Sequence, residues 1–229
     1  MRVLAVDTSH PLGMVAFMRD DGRVDVVRLE RSAFHLVDLS RAVSGLLAPE
    51  RPRGSLVDRA AIVAGPGSFT GLRIGMAFVK GLYAGLGCEV VAMTSLELLA
   101  RQARPEGLPV AAMIDARKDE VYAAYYARDG RETIAPRAQA PAAFLEALPG
   151  APTVFIGSGA VRYQGLVVGA FGRDARIPGE GGHAPDAALL SRLAAELTPL
   201  TPEEVVSLEP CYIRPSDIKL KPLRSVRPV

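Results

Sequence analysis

Apolar and polar positions switch between two periods along the first hundred residues. Val3–Asp7 is a short apolar run ending in an acid, and Met14–Met18 and residues 24–29 follow with strand character. Between the last two lies Arg19-Asp20-Asp21-Gly22-Arg23. Its Asp-Gly pair signals a hairpin, because glycine accepts the left-handed backbone of a tight turn. Leu36, Leu39, Val43, Leu46 and Leu47 then recur at helical spacing. Residues 60–64 read as a buried strand, 70–85 as a helix and 90–93 as another strand. Ser95 is expected to cap a helix running to Ala103, with Glu97 in its first turn.

The predicted order is therefore strand-strand-strand-helix-strand-helix-strand-helix. A weaker version starts after the break Arg104-Pro105-Glu106-Gly107, with strands expected at 110–114, 120–127 and 133–138. Helical spacing returns at 142–148, a strand at Thr153–Ile156 ends in Gly157-Ser158-Gly159, and a last helix fits 186–197. No sequence repeat is visible. Two lobes of similar topology, 1–103 and 104–229, are the structural expectation, with one lobe and a long appendage as the alternative.

Composition narrows the class. The 229 residues are 49% hydrophobic and 23% charged, which excludes a disordered chain. The net charge of +2 is too small for a nucleic-acid-coating protein. Two cysteines, Cys88 and Cys211, cannot build a disulfide framework and suit a reducing compartment. The uncharged apolar stretch 108–114 is far short of the ~20 residues that span a bilayer, and Asp7 interrupts any signal-peptide core. The expectation is a cytoplasmic globular protein without membrane contact. Charge is uneven, however. Residues 213–229 hold Arg214, Lys219, Lys221, Arg224 and Arg227 against Asp217 alone, so this segment carries +4 and the body −2. With Pro215, Pro222 and Pro228 it should be extended, either as a solvated tail or as an arm touching RNA or a partner.

The most informative stretch is Gly65-Pro66-Gly67-Ser68-Phe69-Thr70-Gly71-Leu72-Arg73-Ile74-Gly75, which joins a strand to a helix start. Free N–H groups there suit an anion, so Asp7, Gly67 and Ser68 are candidate nucleotide or anion contacts. The spacing nevertheless fits neither a P-loop nor a dinucleotide fingerprint, and close strand–helix packing explains the glycines equally well. The helix that follows carries only Arg73 and Lys80 as charges and includes Gly71, Gly75, Gly81 and Gly85. A helix apolar on nearly every side needs a cover on nearly every side. Internal packing is one reading and a partner-binding helix the other.

At these residues the chain resembles the bacterial tRNA threonylcarbamoyladenosine biosynthesis family TsaB, formerly YeaZ. The resemblance rests on the Gly65–Gly75 stretch, on Leu4-Ala5-Val6-Asp7-Thr8-Ser9, on Ile114-Asp115-Ala116-Arg117 with Glu120-Val121-Tyr122, and on Tyr212-Ile213-Arg214. It implies an α/β, two-lobed actin-like ATPase (ribonuclease H-like) fold, a mixed sheet with flanking helices in each lobe. It also implies a scaffold that pairs with the transferase TsaD through helices of the N-terminal lobe, joined by the ATPase TsaE, with tRNA reached through the complex. His35, Leu39, Val43, Leu72, Arg73, Met76, Ala77 and Lys80 are the expected partner contacts. In the isolated chain a homodimer through the same helices is expected to replace the partner.

Chemistry of the chain's own is not expected. Catalytic relatives hold a metal through two histidines four residues apart, and here His35 is followed at that spacing by Leu39, with His10 and His183 remote. ATP-binding relatives follow the first acid with a glycine-threonine turn, whereas this chain reads Asp7-Thr8-Ser9-His10. A cap made by the Asp7 carboxylate is the alternative to a cation contact. No cofactor is expected on the chain alone, and ATP or ADP only in an assembled complex. Ser68 and Ser158 both fall outside the Gly-x-Ser-x-Gly nucleophile turn. A free-standing ATPase or phosphotransferase of the same fold is the alternative function, and a peptidase a more distant one.

Overall fold

In a computed structural model, residues 1–29, 36–48, 56–103, 106–179 and 181–214 are described. The first sheet is built from β1 (Val3–Asp7), β2 (Met14–Met18), β3 (Val24–Arg28), β4 (Arg59–Val63) and β5 (Glu89–Met93). Its order is β3-β2-β1-β4-β5, with the first three strands antiparallel and β4 and β5 parallel to β1. The Asp-Gly hairpin forms as expected: Gly22 has φ +81° and donates to the Arg19 carbonyl at 2.9 Å.

Strand alternation splits this sheet into two apolar faces. Leu4, Val6, Val15, Phe17 and Ile62 face α1 (Leu36–Leu47) and α2 (Phe69–Leu86). Val3, Ala5, Ala16, Ala61 and Val63 face the other way, toward Leu98 of α3 (Ser95–Ala103) and toward α7 (Ala187–Leu193). The cap of α3 is Thr94 rather than Ser95. Thr94 Oγ1 accepts from the Glu97 N–H at 3.1 Å, while the Ser95 hydroxyl donates to the Pro66 carbonyl.

The second sheet repeats the arrangement with β6 (Val110–Asp115), β7 (Val121–Tyr126), β8 (Glu132–Gln139), β9 (Thr153–Ile156) and β10 (Ala175–Arg176), in the order β10-β9-β6-β7-β8. Again three strands are antiparallel and the next two parallel to the first. One face packs on α4 (Pro141–Glu146), α5 (Ser158–Arg162) and α6 (Gln164–Phe171) through Phe144, Leu145, Ala160 and Val167. The other face packs on α3 through Leu96, Leu99, Ala100 and Ala103, so α3 is shared between the sheets. The one-lobe-with-appendage alternative is thereby set aside.

The division expected between residues 103 and 104 separates the two sheets but does not describe the C-terminal helices. The helix expected over 186–197 is α7, shorter than its periodicity suggested and capped by Asp186, whose carboxylate accepts from the Ala188 N–H at 2.8 Å. It packs on β1 and β2 of the first sheet. Buried Arg59 on β4 fixes it there by donating to the carbonyl of its C-cap, Ala194, and to that of Leu197 in the segment that follows, while also pairing with Glu89. Next, α8 (Pro202–Ser207) buries Val205 in the core beneath α1 and α2. Its Thr201-x-x-Glu204 capping box and N-terminal Pro202 make it a well-specified short helix.

Candidate functional site

The candidate residues fall at two places on this scaffold: the turns where β1 and β4 end, and the outer face of α1 and α2. At the first, Asp7 is fully buried at the end of β1, and its Oδ1 accepts from the Ser9 N–H at 2.8 Å and the Ser9 hydroxyl at 2.6 Å. This is the cap that the sequence suggested. Its Oδ2 is buried with no hydrogen-bond partner, as is the Thr8 hydroxyl oxygen. Burial outweighs the Ser9 bonds and pushes the Asp7 carboxyl up to about 6.

The glycine-rich turn closes directly over this segment. A Cβ on Gly67 would lie 2.3 Å from the Ser9 carbonyl oxygen, one on Gly71 2.0 Å from the Thr8 carbonyl oxygen, and one on Gly75 2.2 Å from the Thr8 hydroxyl. Those three glycines let α2 lie against the end of β1. The Ser68 N–H donates to the Ser9 carbonyl at 2.7 Å, and the Ser68 hydroxyl caps α2 by accepting from the Gly71 N–H at 3.2 Å. An anion at Gly67 or Ser68 would have to displace these intrachain bonds. A cation at Asp7 would have to reach a carboxylate with no exposed surface. The second lobe repeats the motif: Gly157 and Gly159 approach Met113, and the Ser158 hydroxyl accepts from the Asp115 N–H at 3.1 Å. Of the two serines considered as nucleophiles, Ser68 is therefore a helix cap and Ser158 ties the start of α5 to the end of β6.

The C-terminal segment bolts the two lobes together beside these turns. The Cys211 N–H donates to the Ala64 carbonyl at 2.7 Å. Tyr212 lies against Phe69 with ring centroids 5.2 Å apart, and Ile213 packs on the second sheet. Arg214 ion-pairs with Glu120 and lies over the Tyr122 ring. The turn it meets holds Arg117, Lys118 and Asp119 in consecutive left-handed conformations, a strained geometry for side-chain-bearing residues. An Asp115 carboxylate accepting from the Arg117 N–H at 3.0 Å supports it. The Tyr-Ile-Arg and Ile-Asp-Ala-Arg motifs thus meet in space. The extended tail expected at 213–229 is described only through Arg214.

On the outer face of the first lobe, α1 and α2 border a groove of about 590 Å³. Ser40, Ser44 and Leu47 form one wall and Ala77, Gly81 and Gly85 the other. Gly81 and Gly85 have no positive φ and no atom within 4 Å of a would-be Cβ, so none of the described residues requires glycine there. Packing among the described residues leaves this groove on α2 unfilled.

The expected partner contacts divide accordingly. Leu39 and Val43 belong to the core beneath α1, and Leu72 and Met76 are buried on the inner side of α2; Leu39, Leu72 and Met76 offer a partner no contact surface, while Val43 floors the groove. Ala77 is exposed on the groove wall. Arg73 and Lys80 are engaged within the chain. Arg73 stacks 4.0 Å over Phe69 and donates to the Tyr212 hydroxyl at 2.9 Å, while Lys80 donates to the Val206 carbonyl at 2.7 Å. Their charge therefore marks the docking of the C-terminal segment and is no signal of a partner. His35 lies outside the described residues. Ser40, Ser44 and Leu47 on the groove wall were not among the named contacts, although Leu47 stands in the helical series of α1; on the opposite wall Ala77, Gly81 and Gly85 recur at four-residue steps.

Among the described residues no three His, Cys, Asp or Glu side chains come together as a metal site. His183 engages both ring nitrogens with backbone, at Gly157 and Pro178. No helix among the described residues is long and apolar enough to cross a membrane.

Two lobes with the same strand order, joined through a shared helix, define a protein of the actin-like ATPase superfamily. Residues 29–158 match the family model of TsaD, tRNA N6-adenosine threonylcarbamoyltransferase. The tRNA threonylcarbamoyladenosine biosynthesis protein TsaB of Bacillus subtilis is 28% identical over 98% of this chain and 99% of its own length. That of Escherichia coli is 35% identical over 56% of each chain. YeaZ from Pseudomonas aeruginosa superposes with a TM-score of 0.71 at 29% identity, covering 92% of this chain and 99% of YeaZ. A crystal structure of an uncharacterized protein with similarity to peptidase YEAZ from Pseudomonas aeruginosa gives 0.74 at 30% identity, covering 93% and 99%. The chain belongs to this family, in its TsaB/YeaZ branch.

Proposed function

We propose that the chain is a non-catalytic scaffold subunit in the cytoplasmic synthesis of the threonylcarbamoyladenosine modification of tRNA, next to the anticodon. It binds and activates a TsaD-type transferase through the α1–α2 groove. A TsaE-type ATPase and tRNA join the assembled complex, and ATP or ADP is bound there rather than on this chain alone.

The observation that carries this reading is the contrast between glycines of one helix. Gly71 and Gly75 are demanded by Thr8, whereas Gly81 and Gly85 face open space on the groove wall. Glycine inside a helix costs ~1 kcal/mol relative to alanine. Glycine where none of the described residues needs it is what close approach of an outside backbone or helix would require. The names of the relatives supply the pathway. The enclosed Asp7 and the engaged Ser68 N–H weigh against the alternative, a free-standing ATPase or phosphotransferase.

The test is Ala77→Glu combined with Gly81→Glu. Both positions are exposed with open space, so thermal unfolding should stay nearly unchanged. Co-purification with the TsaD-family transferase of the same organism should be lost. Lys80 is left alone because it holds α8. Undiminished co-purification would place the interface elsewhere.

A further inference from the structure

A third helix borders the surface that α1 and α2 present. Among the described residues, Val206 on α8 and Val37 on α1 are the most exposed large apolar side chains, at 73% and 63%. Val37 precedes Ser40 and Ser44 by three and seven positions, so it continues the face of α1 that walls the groove. Val206 stands on the other side of α2. Its carbonyl accepts from Lys80, which lines no part of the groove.

What separates the two valines is low. At about 3.6 residues per turn, Lys80 falls on one flank of α2 and the groove-lining Phe78 and Leu82 on the opposite flank. Ala77, Gly81 and Ala84 form the exposed crest between them. From position 77 to position 84 that crest carries nothing longer than a methyl group. A body seated in the groove therefore meets no obstacle on its way across α2 to α8.

Helix α8 is fixed at both ends. Its capping box closes the first turn, and Val205 is buried in the core. At the other end Lys80 Nζ donates at 2.7 Å to the Val206 carbonyl, one of the acceptors that a helix terminus leaves open. The ammonium is thereby directed at α8 and kept off the crest. Charge also distinguishes the two sides of α2. No charged residue lines the groove. On α8, Glu203 lies three positions before Val206, a neighbour on the helix surface, and makes no ion pair among the described residues. The body that fits is apolar over the groove and crest, with a basic side chain on the edge that meets α8.

We propose that α8 is the second rim of the surface that docks the TsaD-type transferase. Val206 and Glu203 touch the partner beyond the α2 crest, Glu203 facing a basic side chain of the transferase. Lys80 is a positioning residue that holds α8 beside α2. The proposal rests on transferase docking at the α1–α2 groove.

The test measures the affinity of the full chain for the TsaD-family transferase of the same organism by titration calorimetry. Val206→Asp and Glu203→Lys, both at exposed positions, should each weaken binding by roughly tenfold or more while thermal unfolding stays unchanged. The Glu203→Lys loss should shrink as salt is raised, because the repulsion it introduces is screened. A loss that salt leaves unchanged would contradict the basic edge. Lys80→Met should weaken binding severalfold and Lys80→Arg should not, since arginine can still donate to the Val206 carbonyl. Parent-like affinity of Lys80→Met would remove the positioning role. Ala77→Glu with Gly81→Glu is the reference for the groove itself. If that double variant loses binding while folded Val206→Asp or Glu203→Lys keeps the parent's affinity, the α8 rim is overturned and the groove stands. If the double variant also binds like the parent, transferase docking at the groove falls and the rim with it.

Discussion

The Thr8 carbonyl oxygen lies 2.0 Å from the point where a Cβ on Gly71 would stand. A real Cβ cannot occupy that position, and the atom in its way is backbone, which has little room to yield. Gly71→Ala should therefore destabilise the chain by at least ~2 kcal/mol. Gly81→Ala and Gly85→Ala, in the open part of the same helix, should stabilise it by ~0.5–1 kcal/mol. Urea denaturation of the three variants gives the comparison directly. Equal effects at the three sites would mean that α2 does not lie against β1 as described.

Asp7 makes a prediction in the acid range. Its carboxyl is raised from 3.8 to about 6 by burial, so the folded state holds the proton more tightly than the unfolded chain. The associated stability is fully present below pH ~4 and is lost as pH rises to ~6, beyond which it no longer changes. At ~1.4 kcal/mol per unit, the loss is on the order of 3 kcal/mol. Asp7→Asn keeps an acceptor for Ser9 and should remove this slope. Its stability at pH 7.5 should equal or exceed that of the parent. A parental slope in Asp7→Asn between pH 4 and 6 would assign the effect to another group.

The Cys211 segment should behave as a latch. Burial raises the Cys211 thiol above its ordinary value, and the half-buried residue precedes the Tyr212 and Arg214 contacts in the chain. Arg214→Ala combined with Tyr212→Ala releases both anchors. Reaction of Cys211 with a thiol reagent at pH 8 should then accelerate severalfold, while buried Cys88 remains slow. Unchanged reactivity would mean that the Cys211–Ala64 bond alone holds the segment.

The α1–α2 groove should also show itself when the chain is alone. An uncharged, glycine-lined wall is compatible with its own two-fold copy. Sedimentation at ~100 µM, a concentration that populates weak dimers, should show self-association that Gly81→Glu abolishes. A monomer at that concentration would remove this expectation.

Much of the fold was legible because its elements are short and strongly patterned. Val3–Asp7, Met14–Met18 and Thr153–Ile156 match their apolar runs residue for residue. Helices α5 and α6 were not, since Gly157, Gly159, Gly165 and Gly169 interrupt an apolar stretch with no polar face to set a period. Helix α8 was missed although its signal, Thr201-Pro202-Glu203-Glu204, is plain in the sequence. The return of α7 to the first sheet depends on Arg59 meeting Ala194, a contact across 135 positions that no local pattern encodes. For the candidate site, the Gly65–Gly75 stretch pointed to α2, the helix that borders the groove. Which of its sides is open depends on what Thr8, Tyr212 and Val206 already cover, and that is a tertiary fact.

Activation of a transferase through the α1–α2 groove is read from the rate of threonylcarbamoyladenosine formation on tRNA in a reconstituted mixture. The TsaD-family transferase of the same organism, with the other components held constant, is titrated with this chain or with its Ala77→Glu, Gly81→Glu variant. The parent chain should raise the rate to a saturating plateau, and the folded variant should leave it at the level seen without the chain up to ~10 µM, a range that covers interfaces of moderate affinity. Equal stimulation by the variant, or modification supported by this chain without the transferase, would contradict the account.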